Sequence, residues 1–293
     1  MSMKRRLGLA LVLFASIMGC KEIPPPIDFS EPILLARDTT YVTTDIPTNP
    51  EKSVLIEDIS GVKCNNCPKA ADVAHDVQKK NPGRVVVLTL HSTDFAVFTA
   101  PYSDSRDTFN TEESTQIVRT LHQGNVAGLP TGGVDRKVFD GETQSLIPYT
   151  TWEARVNEQL DLKAKATLDL ELIKEAGRRV IANVKTTFTE ADATPVYMSV
   201  FIVESHILSK QKMPDNSFNP DFEHNSILRE GVTTFSGIKL ADNVEAGRVF
   251  EKGFTIDIPE KYVMEDCSVV VLINKQDEFN KEVVQCAEEF IGS

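Results

Sequence analysis

Positive charge is what this 293-residue chain is short of: 31 Lys and Arg face 43 Asp and Glu, a net −12 at pH 7 with histidine neutral. Such a surface offers no long-range positive field for a polyanion, which argues against nucleic acid as a partner. Long apolar runs are scarce as well. After residue 18 no stretch approaches the roughly 20 apolar residues of a bilayer-spanning helix. The chain also has no P-loop, no Gly-x-Gly-x-x-Gly and no Gly-x-Ser-x-Gly, so nucleotide and hydrolase chemistry have no support. One Cys-x-x-Cys without a second close Cys or His pair is poor material for a structural zinc site. The oxygen-rich residues 214–225 lack the spacing of a calcium loop and read as a surface loop. No metal or cofactor is expected. What is present suffices for cores: 41% hydrophobic and 25% charged residues exclude disorder, collagen and coiled coil as whole-chain descriptions, and the length suits two domains.

The N-terminus is a different kind of sequence. Lys4, Arg5 and Arg6 precede an apolar stretch at residues 7–18, too short to span a bilayer and typical of a secretory signal peptide over residues 1–19. It ends Ile17-Met18-Gly19-Cys20, which resembles a bacterial lipobox, with Met18 bulkier than its norm; the resemblance implies that Cys20 is lipidated and holds the protein to a membrane. Removing residues 1–19 leaves 28 cations against 43 anions, or −15. Lys21-Glu22-Ile23-Pro24-Pro25-Pro26 cannot be helical and favours an extended polyproline spacer, so residues 20–50 read as a lipidated tether. Lys21 replaces the Asp that commonly retains lipoproteins at the inner membrane. Lys followed by Glu also resembles the export signals of Bacteroidetes surface lipoproteins.

With Cys20 assigned to lipid, Cys64, Cys67, Cys267 and Cys286 remain in an oxidising compartment, where three pairings are open and close-with-close is economical. Residues 53–59 (SVLIEDI) form an apolar, β-branched run suited to a buried strand. A turn, 60–63, leads into Cys64-Asn65-Asn66-Cys67-Pro68, and Pro68 is acceptable in the first turn of a helix. Ala70, Val73, Ala74 and Val77 then recur at helical spacing until Asn81-Pro82-Gly83. Cys64 is thereby expected at a helix N-terminus, where free N–H groups and the helix dipole lower a thiol pKa, with Lys63 adding positive charge. The spacing suits Cys64 as nucleophile and Cys67 as the thiol that resolves a mixed disulfide.

A second buried strand at 84–90 (RVVVLTL) implies a parallel pair with a crossover helix. Asn110 and Glu113 suggest a capping box for a helix through Ile117, Val118 and Leu121, closed by Gly124. Val126-Ala127-Gly128-Leu129-Pro130-Thr131 leads into a hairpin near 133–139, and Thr150 with Glu153 caps a helix carrying Trp152, Val156 and Leu160. This order, β-α-β-α-β-β-α, with Cys-x-x-Cys at the first strand–helix junction and Gly-Leu-Pro-Thr before the third strand, resembles the thioredoxin fold. The resemblance implies a cis peptide before Pro130, peptide docking along Leu129, Pro130 and Thr131, and a proton-relay role for Asp58, six positions before Cys64. The sequence departs in its CNNC loop and in an insertion, 91–109, expected to border the site. His91, after the second strand, is expected near the disulfide, in a structural role. Taken with VLIEDISGVKCNNCPKAA and Leu-Pro-Thr-Gly, the chain resembles the Bacteroidetes outer-membrane lipoproteins related to the 28-kilodalton outer membrane protein. That resemblance implies an outer-membrane location and a lipidated thioredoxin-like domain coupled to a C-terminal β-domain.

Residues 161–293 read as all-β. Strict alternation at 166–172 (ATLDLEL) and 180–188 (VIANVKTTF), with further runs at 196–203, 231–238, 249–258, 267–273 and 282–291, suggests an antiparallel, immunoglobulin-like sandwich. Cys267 and Cys286 fall on its last two strands, and a structural disulfide between them requires a register that brings their Cα atoms within reach. The expected architecture is an α/β thioredoxin-like domain, 51–160, followed by an all-β sandwich, 161–293. Two functions fit it. One is thiol-disulfide exchange on exported protein substrates through Cys64, Cys67, Asp58 and Pro130, with Lys63, Leu129 and Thr131 binding. The other is a non-catalytic surface lipoprotein, an adhesin or an accessory subunit of a nutrient importer, in which Cys64–Cys67 is a staple.

Overall fold

A computed structural model describes residues 35–292, except 106 and 123–125. The signal peptide, Cys20, the proline-rich start of the tether and Gly124 therefore lie outside the described residues. Strand-forming sequence dominates the rest. In chain order the elements are β1 (Leu35–Val42), β2 (Val54–Ile59), α1 (Cys67–Lys80), β3 (Val85–Leu90), α2 (Ala96–Thr99), α3 (Glu112–Gln116), β4 (Thr131–Val134), β5 (Leu146–Ile147) and α4 (Trp152–Leu160). Then come β6 (Ala166–Lys174), β7 (Arg179–Phe188), β8 (Val196–Glu204), β9 (Ile207–Lys212), β10 (Phe218–His224), β11 (Ile227–Gly231), β12 (Ile238–Ala241), β13 (Arg248–Asp257), β14 (Cys267–Lys275) and β15 (Val283–Phe290). No helix among the described residues is long and apolar enough to cross a membrane.

The order strand, helix, strand, helix, strand, strand, helix expected between residues 51 and 160 is present. β2 and β3 pair in parallel, and β4 runs antiparallel to β2 with Ile59 opposite Thr131. Every residue of β2 and β3 is buried, as a sheet covered on both faces requires. Alternate side chains divide between two cores. Val54, Ile56, Val85 and Val87 pack under α1 and α4 with Ala70, Ala74, Trp152 and Val156. Leu55, Ile59, Val86, Leu88 and Leu90 pack on the other face with Ile117, Val118 and Leu121, which continue α3 as a wide π turn. The α3 cap is Thr111, one residue later than its sequence suggests, with Oγ1 accepting the Ser114 N–H at 3.0 Å.

The two halves do not part at residue 160. One nine-stranded sheet runs β15-β14-β8-β11-β3-β2-β4-β5, with β12 along β8, so strands from both halves share it. The seam is narrow: Ile227 of β11 pairs in parallel with Thr89 of β3, and the Thr89 N–H donates to Ser226 O at 2.7 Å. A second sheet, β1-β13-β7-β6, packs on β8 and β14 to make a β-sandwich, its core filled by Val180, Ala182, Val184, Phe250 and Phe254 against Met198, Val200, Val269 and Val271. β1 corrects the sequence reading. Residues 35–42 had the look of tether, but they pair with β13 along their length. Residues 231–238 are likewise not one strand, since β11 ends at Gly231 and β12 begins at Ile238.

Bonds from β15 to a buried ion pair of the N-terminal half fasten the halves a second time. After β4 the chain turns through Asp135 and Arg136, both left-handed at φ 50° and 53°. Asp135 Oδ1 accepts the Leu55 N–H at 2.9 Å, Oδ2 meets Lys52 Nζ at 2.8 Å, and its carbonyl accepts the Val283 N–H from β15 at 2.8 Å. Gln285 of β15 adds bonds to Ser53, Glu51 and Ala166.

The disulfide expected between Cys267 and Cys286 is absent: both are free, buried thiols. Register and face explain it. Leu272, five positions beyond Cys267, is the residue opposite Cys286. Cys267 faces the sandwich core, whereas Cys286 faces the core shared with β2 and β3. Burial pushes the Cys267 thiol up to about 12 and that of Cys286 higher still.

Two outcomes follow. Alkylation of the denatured, unreduced chain and mass mapping should find free thiols at Cys267 and Cys286 and a bond only at Cys64–Cys67. Asp135→Ala leaves Lys52 charged and buried without its partner, and should lower stability in urea unfolding by about 3–5 kcal/mol.

Candidate functional site

Cys64 and Cys67 are joined by a disulfide with Cα atoms 5.4 Å apart. The helix begins three residues later than the sequence suggests: Cys67, not Cys64, is the first residue of α1, and Pro68 follows in the first turn. Cys64 sits in the preceding turn, where its N–H donates to Gly61 O at 3.0 Å and its carbonyl faces the Cys67 N–H at 3.4 Å. Gly61 is required by close packing. A Cβ there would meet Phe98 O at 2.6 Å, and this approach lets the Lys63 N–H donate to Phe98 O at 2.7 Å. The 91–109 insertion thus does border the site.

Both cysteines are only 2% exposed. Their cover comes from the C-terminal half. β9 and β10 form a hairpin paired to no other strand among the described residues, and Phe218–His224 is a strand where sequence suggested a surface loop. Gln211 Nε2 donates to Cys64 O at 2.9 Å and reaches Gly61 O at 3.4 Å, while the Lys212 N–H donates to Val62 O at 2.9 Å. The hairpin also rests on the insertion: Tyr102 and Phe218 meet edge to face, and Lys210 lies over both rings while pairing with Asp104. Lys63 stacks on Tyr102, 5.1 Å from the ring centre.

Asp58 and its neighbour Glu57 illustrate how strand alternation assigns different chemistry to adjacent carboxylates. Glu57 meets Arg136 and, at 2.8 Å, His122, all buried. Burial alone would raise its carboxyl, but Arg136 and His122 prevail and hold it down to about 2. Asp58, fully buried on the other face, has neither carboxylate oxygen hydrogen-bonded. Burial raises it to about 8.

Asp58 and Cys67 line one cavity of 450 Å³, bordered by α1, the ends of β2 and β3, and the root of the β9–β10 hairpin. Four of the chain's five histidines line it: His75, His91, His206 and His224. His91 Nδ1 and His224 Nε2 have no partner, and burial lowers the two rings to about 3 and 4, keeping them neutral. No trio of His, Cys, Asp or Glu among the described residues is arranged to hold a metal ion.

The remaining expected residues lie across the sheet edge. The Leu129–Pro130 peptide is cis, as the thioredoxin resemblance implies, and Thr131 opposite Ile59 brings it beside the end of β2, where the chain leaves for Cys64. Leu129 packs against the core around Leu55 and Ile59. Thr131 Oγ1 donates to Ile147 O at 3.4 Å. Gln211, Glu223 and His224, some 150 residues after the cysteines, carry no local signal in the sequence. Only the hairpin's return across the sheet places them here.

A family model for outer membrane protein Omp28 matches residues 120–293. A search of the curated proteins finds no match. Among solved structures, HBP35 of Porphyromonas gingivalis is similar at TM-score 0.63 and 17% identity, over 83% of this chain and 76% of that one. A protein of Agrobacterium tumefaciens aligns at TM-score 0.53 and 12% identity, over 84% of this chain and 97% of its own. A domain of the outer membrane lipoprotein Omp28 from Porphyromonas gingivalis overlaps 43% of this chain, and 86% of its own length, at TM-score 0.28 and 16% identity.

The cavity's titrating groups set a pH dependence. Folded Asp58 keeps its proton to about pH 8, whereas the unfolded group loses it near 3.8, so stability from this group falls as pH rises between the two. His91 and His224 stay neutral when folded but take up protons near 6.5 when unfolded, so stability falls as pH drops below 6.5. Two histidines outweigh one aspartate on the acid side, and above it Asp58 is joined by Asp135 and Glu288, also raised by burial. Urea midpoints should therefore fall as pH drops below 6.5, and Asp58→Asn should reduce the decline at higher pH while keeping the acid one.

Proposed function

The chain belongs to the Omp28 family of outer membrane proteins, and from that premise we propose that it is a lipid-anchored thiol-disulfide exchange protein acting on exported proteins through Cys64 and Cys67. As a member of that family it resides in the outer membrane. Lipidation of Cys20 would supply the anchor, residues 51–160 the thioredoxin-like exchange domain, and residues 161–293 the immunoglobulin-like sandwich that carries the covering hairpin. One observation carries the reading: a fully buried carboxyl without partners, Asp58, opens onto the same cavity as Cys67, the sulfur that must gain and lose a proton in exchange. A structural staple has no use for that costly neighbour.

The chemistry runs in two displacements. The Cys64 thiolate attacks one sulfur of a partner disulfide; a Cys64–partner bond forms and the partner's other sulfur leaves as thiolate. Asp58 then takes the Cys67 proton, and the Cys67 thiolate attacks Cys64 Sγ, re-forming the internal disulfide and releasing the partner's second thiolate. The partner is reduced and the pair oxidised; run backwards, the same steps oxidise a partner dithiol. Leu129, Pro130 and Thr131 would hold the partner's backbone beside Cys64, with Lys63 favouring its thiolate.

A second reading draws on the 2% exposure of both cysteines. In it the disulfide only braces the hairpin, and the protein is an adhesin or an importer's accessory subunit. Trapping separates the two. With Cys67→Ser in the native cell, exchange predicts discrete high-mass adducts on a non-reducing gel that vanish when Cys64→Ser is added. No adducts, with wild-type behaviour retained in the double variant, would leave the bracing role. In the purified protein, resolution of a mixed disulfide on Cys64 should quicken as pH rises toward about 8, and Asp58→Asn should slow it roughly tenfold or more, the usual contribution of general base catalysis being 10²–10⁴.

A further inference from the structure

Among the residues lining the 450 Å³ cavity is Cys67 but not Cys64, so the two sulfurs of the disulfide meet different surroundings. The covering hairpin closes over Cys64 through Gln211. Cys67 instead faces a space whose 450 Å³ suits a small molecule.

The walls of that space carry a net negative charge. Asp58 comes from β2; Asp72, Asp76 and Lys79 from α1; Glu223 from β10. Asp58 holds its proton through neutral pH, so three carboxylates, Asp72, Asp76 and Glu223, oppose a single lysine. Three of the histidines do not offset them, since burial disfavours the charged form of His91, His224 and His75; His206 Nδ1, 3.3 Å from Glu223, already engages that carboxylate and leaves Asp72 and Asp76 as the free ones. Asp58, His91 and His224 are each more than nine-tenths buried, so their free polar atoms gain partners only from something that enters.

We propose that this cavity is a binding site for a small cationic thiol, an aminothiol, whose ammonium group is held by the carboxylates and whose sulfur attacks Cys67. The proposal rests on the exchange reading. It adds a second entrance to the same disulfide, separate from the one used by protein partners. The step balances as an ordinary exchange. The aminothiol thiolate forms a bond to Cys67 Sγ, the Cys64–Cys67 bond breaks, and Cys64 leaves as thiolate. A second aminothiol then attacks the mixed disulfide, releasing Cys67 as thiolate and the small molecule as its own symmetrical disulfide; two thiols are oxidised and one protein disulfide is reduced. Attack at Cys67 has a consequence for function, because the first group released is the Cys64 nucleophile on the protein-facing side.

The test uses the full chain and three thiols of similar size: cysteamine, 2-mercaptoethanol and 2-mercaptoethanesulfonate, cationic, neutral and anionic at the carbon end. Rates of opening the disulfide are read by acid quench, alkylation and mass mapping, each corrected for the thiol's ionised fraction. Cysteamine should exceed the sulfonate about tenfold, at the low end of steering by a charged cleft, and the gap should narrow with salt. Asp72→Asn with Asp76→Asn should bring the three rates within about twofold, the steering charge being gone; both side chains are exposed on α1, so the fold is not at risk. The first mixed disulfide should map to Cys67. Equal corrected rates, or adducts on Cys64, would overturn the aminothiol site. If dithiothreitol also fails to open the disulfide in the folded protein, the exchange reading itself falls; if dithiothreitol works and protein adducts are trapped, only the aminothiol site does.

Discussion

The side-chain amide of Gln211, bonded to the carbonyls of Cys64 and Gly61, is the contact on which the site depends. It fixes a hairpin from the C-terminal half over a disulfide built by the N-terminal half. Without that cover Cys64 would stand at the surface. With it, the disulfide is covered and the cavity beside Cys67 acquires its far wall of Phe222, Glu223 and His224. The hairpin has the build of a separate flap. It belongs to neither large sheet, and its two roots turn at His206 and Ser226, both left-handed non-glycine residues at φ 56° and 57°.

For the hairpin to sit there, the two halves must hold a fixed relation. One point of β pairing, Ile227 to Thr89, would be a weak joint alone. Val283 and Gln285 of β15, bonded to Asp135, Lys52, Glu51 and Ser53, supply the second fastening. The sheet between them is buried on both faces, so displacement of either half exposes apolar strands, and burial of that surface resists it. Rigid anchoring of both halves leaves the hairpin as the element able to move.

Local sequence disclosed much of this. The runs VLIEDI and VVVLTL are unbroken because both faces of their strands are covered, and the helix after Cys67 shows its stripe at Ala70, Ala74 and Val77. Asp58 was marked by its distance from Cys64. What stayed hidden depended on distant pairing. Residues 35–42 are polar and mostly exposed, hence tether-like, and only β13 makes them a strand. Residues 218–224, rich in Asn, Asp and Pro, resemble a loop because the hairpin is solvent-facing over much of its surface. The Cys267–Cys286 pairing failed on strand face, a property that adjacency of two strands does not settle. The clustering of four histidines arises from elements spread between residues 75 and 224 and has no trace in spacing.

The central claim is that the enclosed disulfide is redox-active in the folded protein. The most direct measurement is a redox titration of the native chain, counting Cys64 and Cys67 thiols by alkylation at each poise while near-ultraviolet circular dichroism follows the packing of Trp152. The account predicts a reversible two-electron transition at Cys64–Cys67 with the dichroism unchanged and Cys267 and Cys286 unmodified throughout. A disulfide that opens only when the dichroism collapses, or that fails to re-form on return to the starting poise, would contradict it and make the bond a brace for the hairpin.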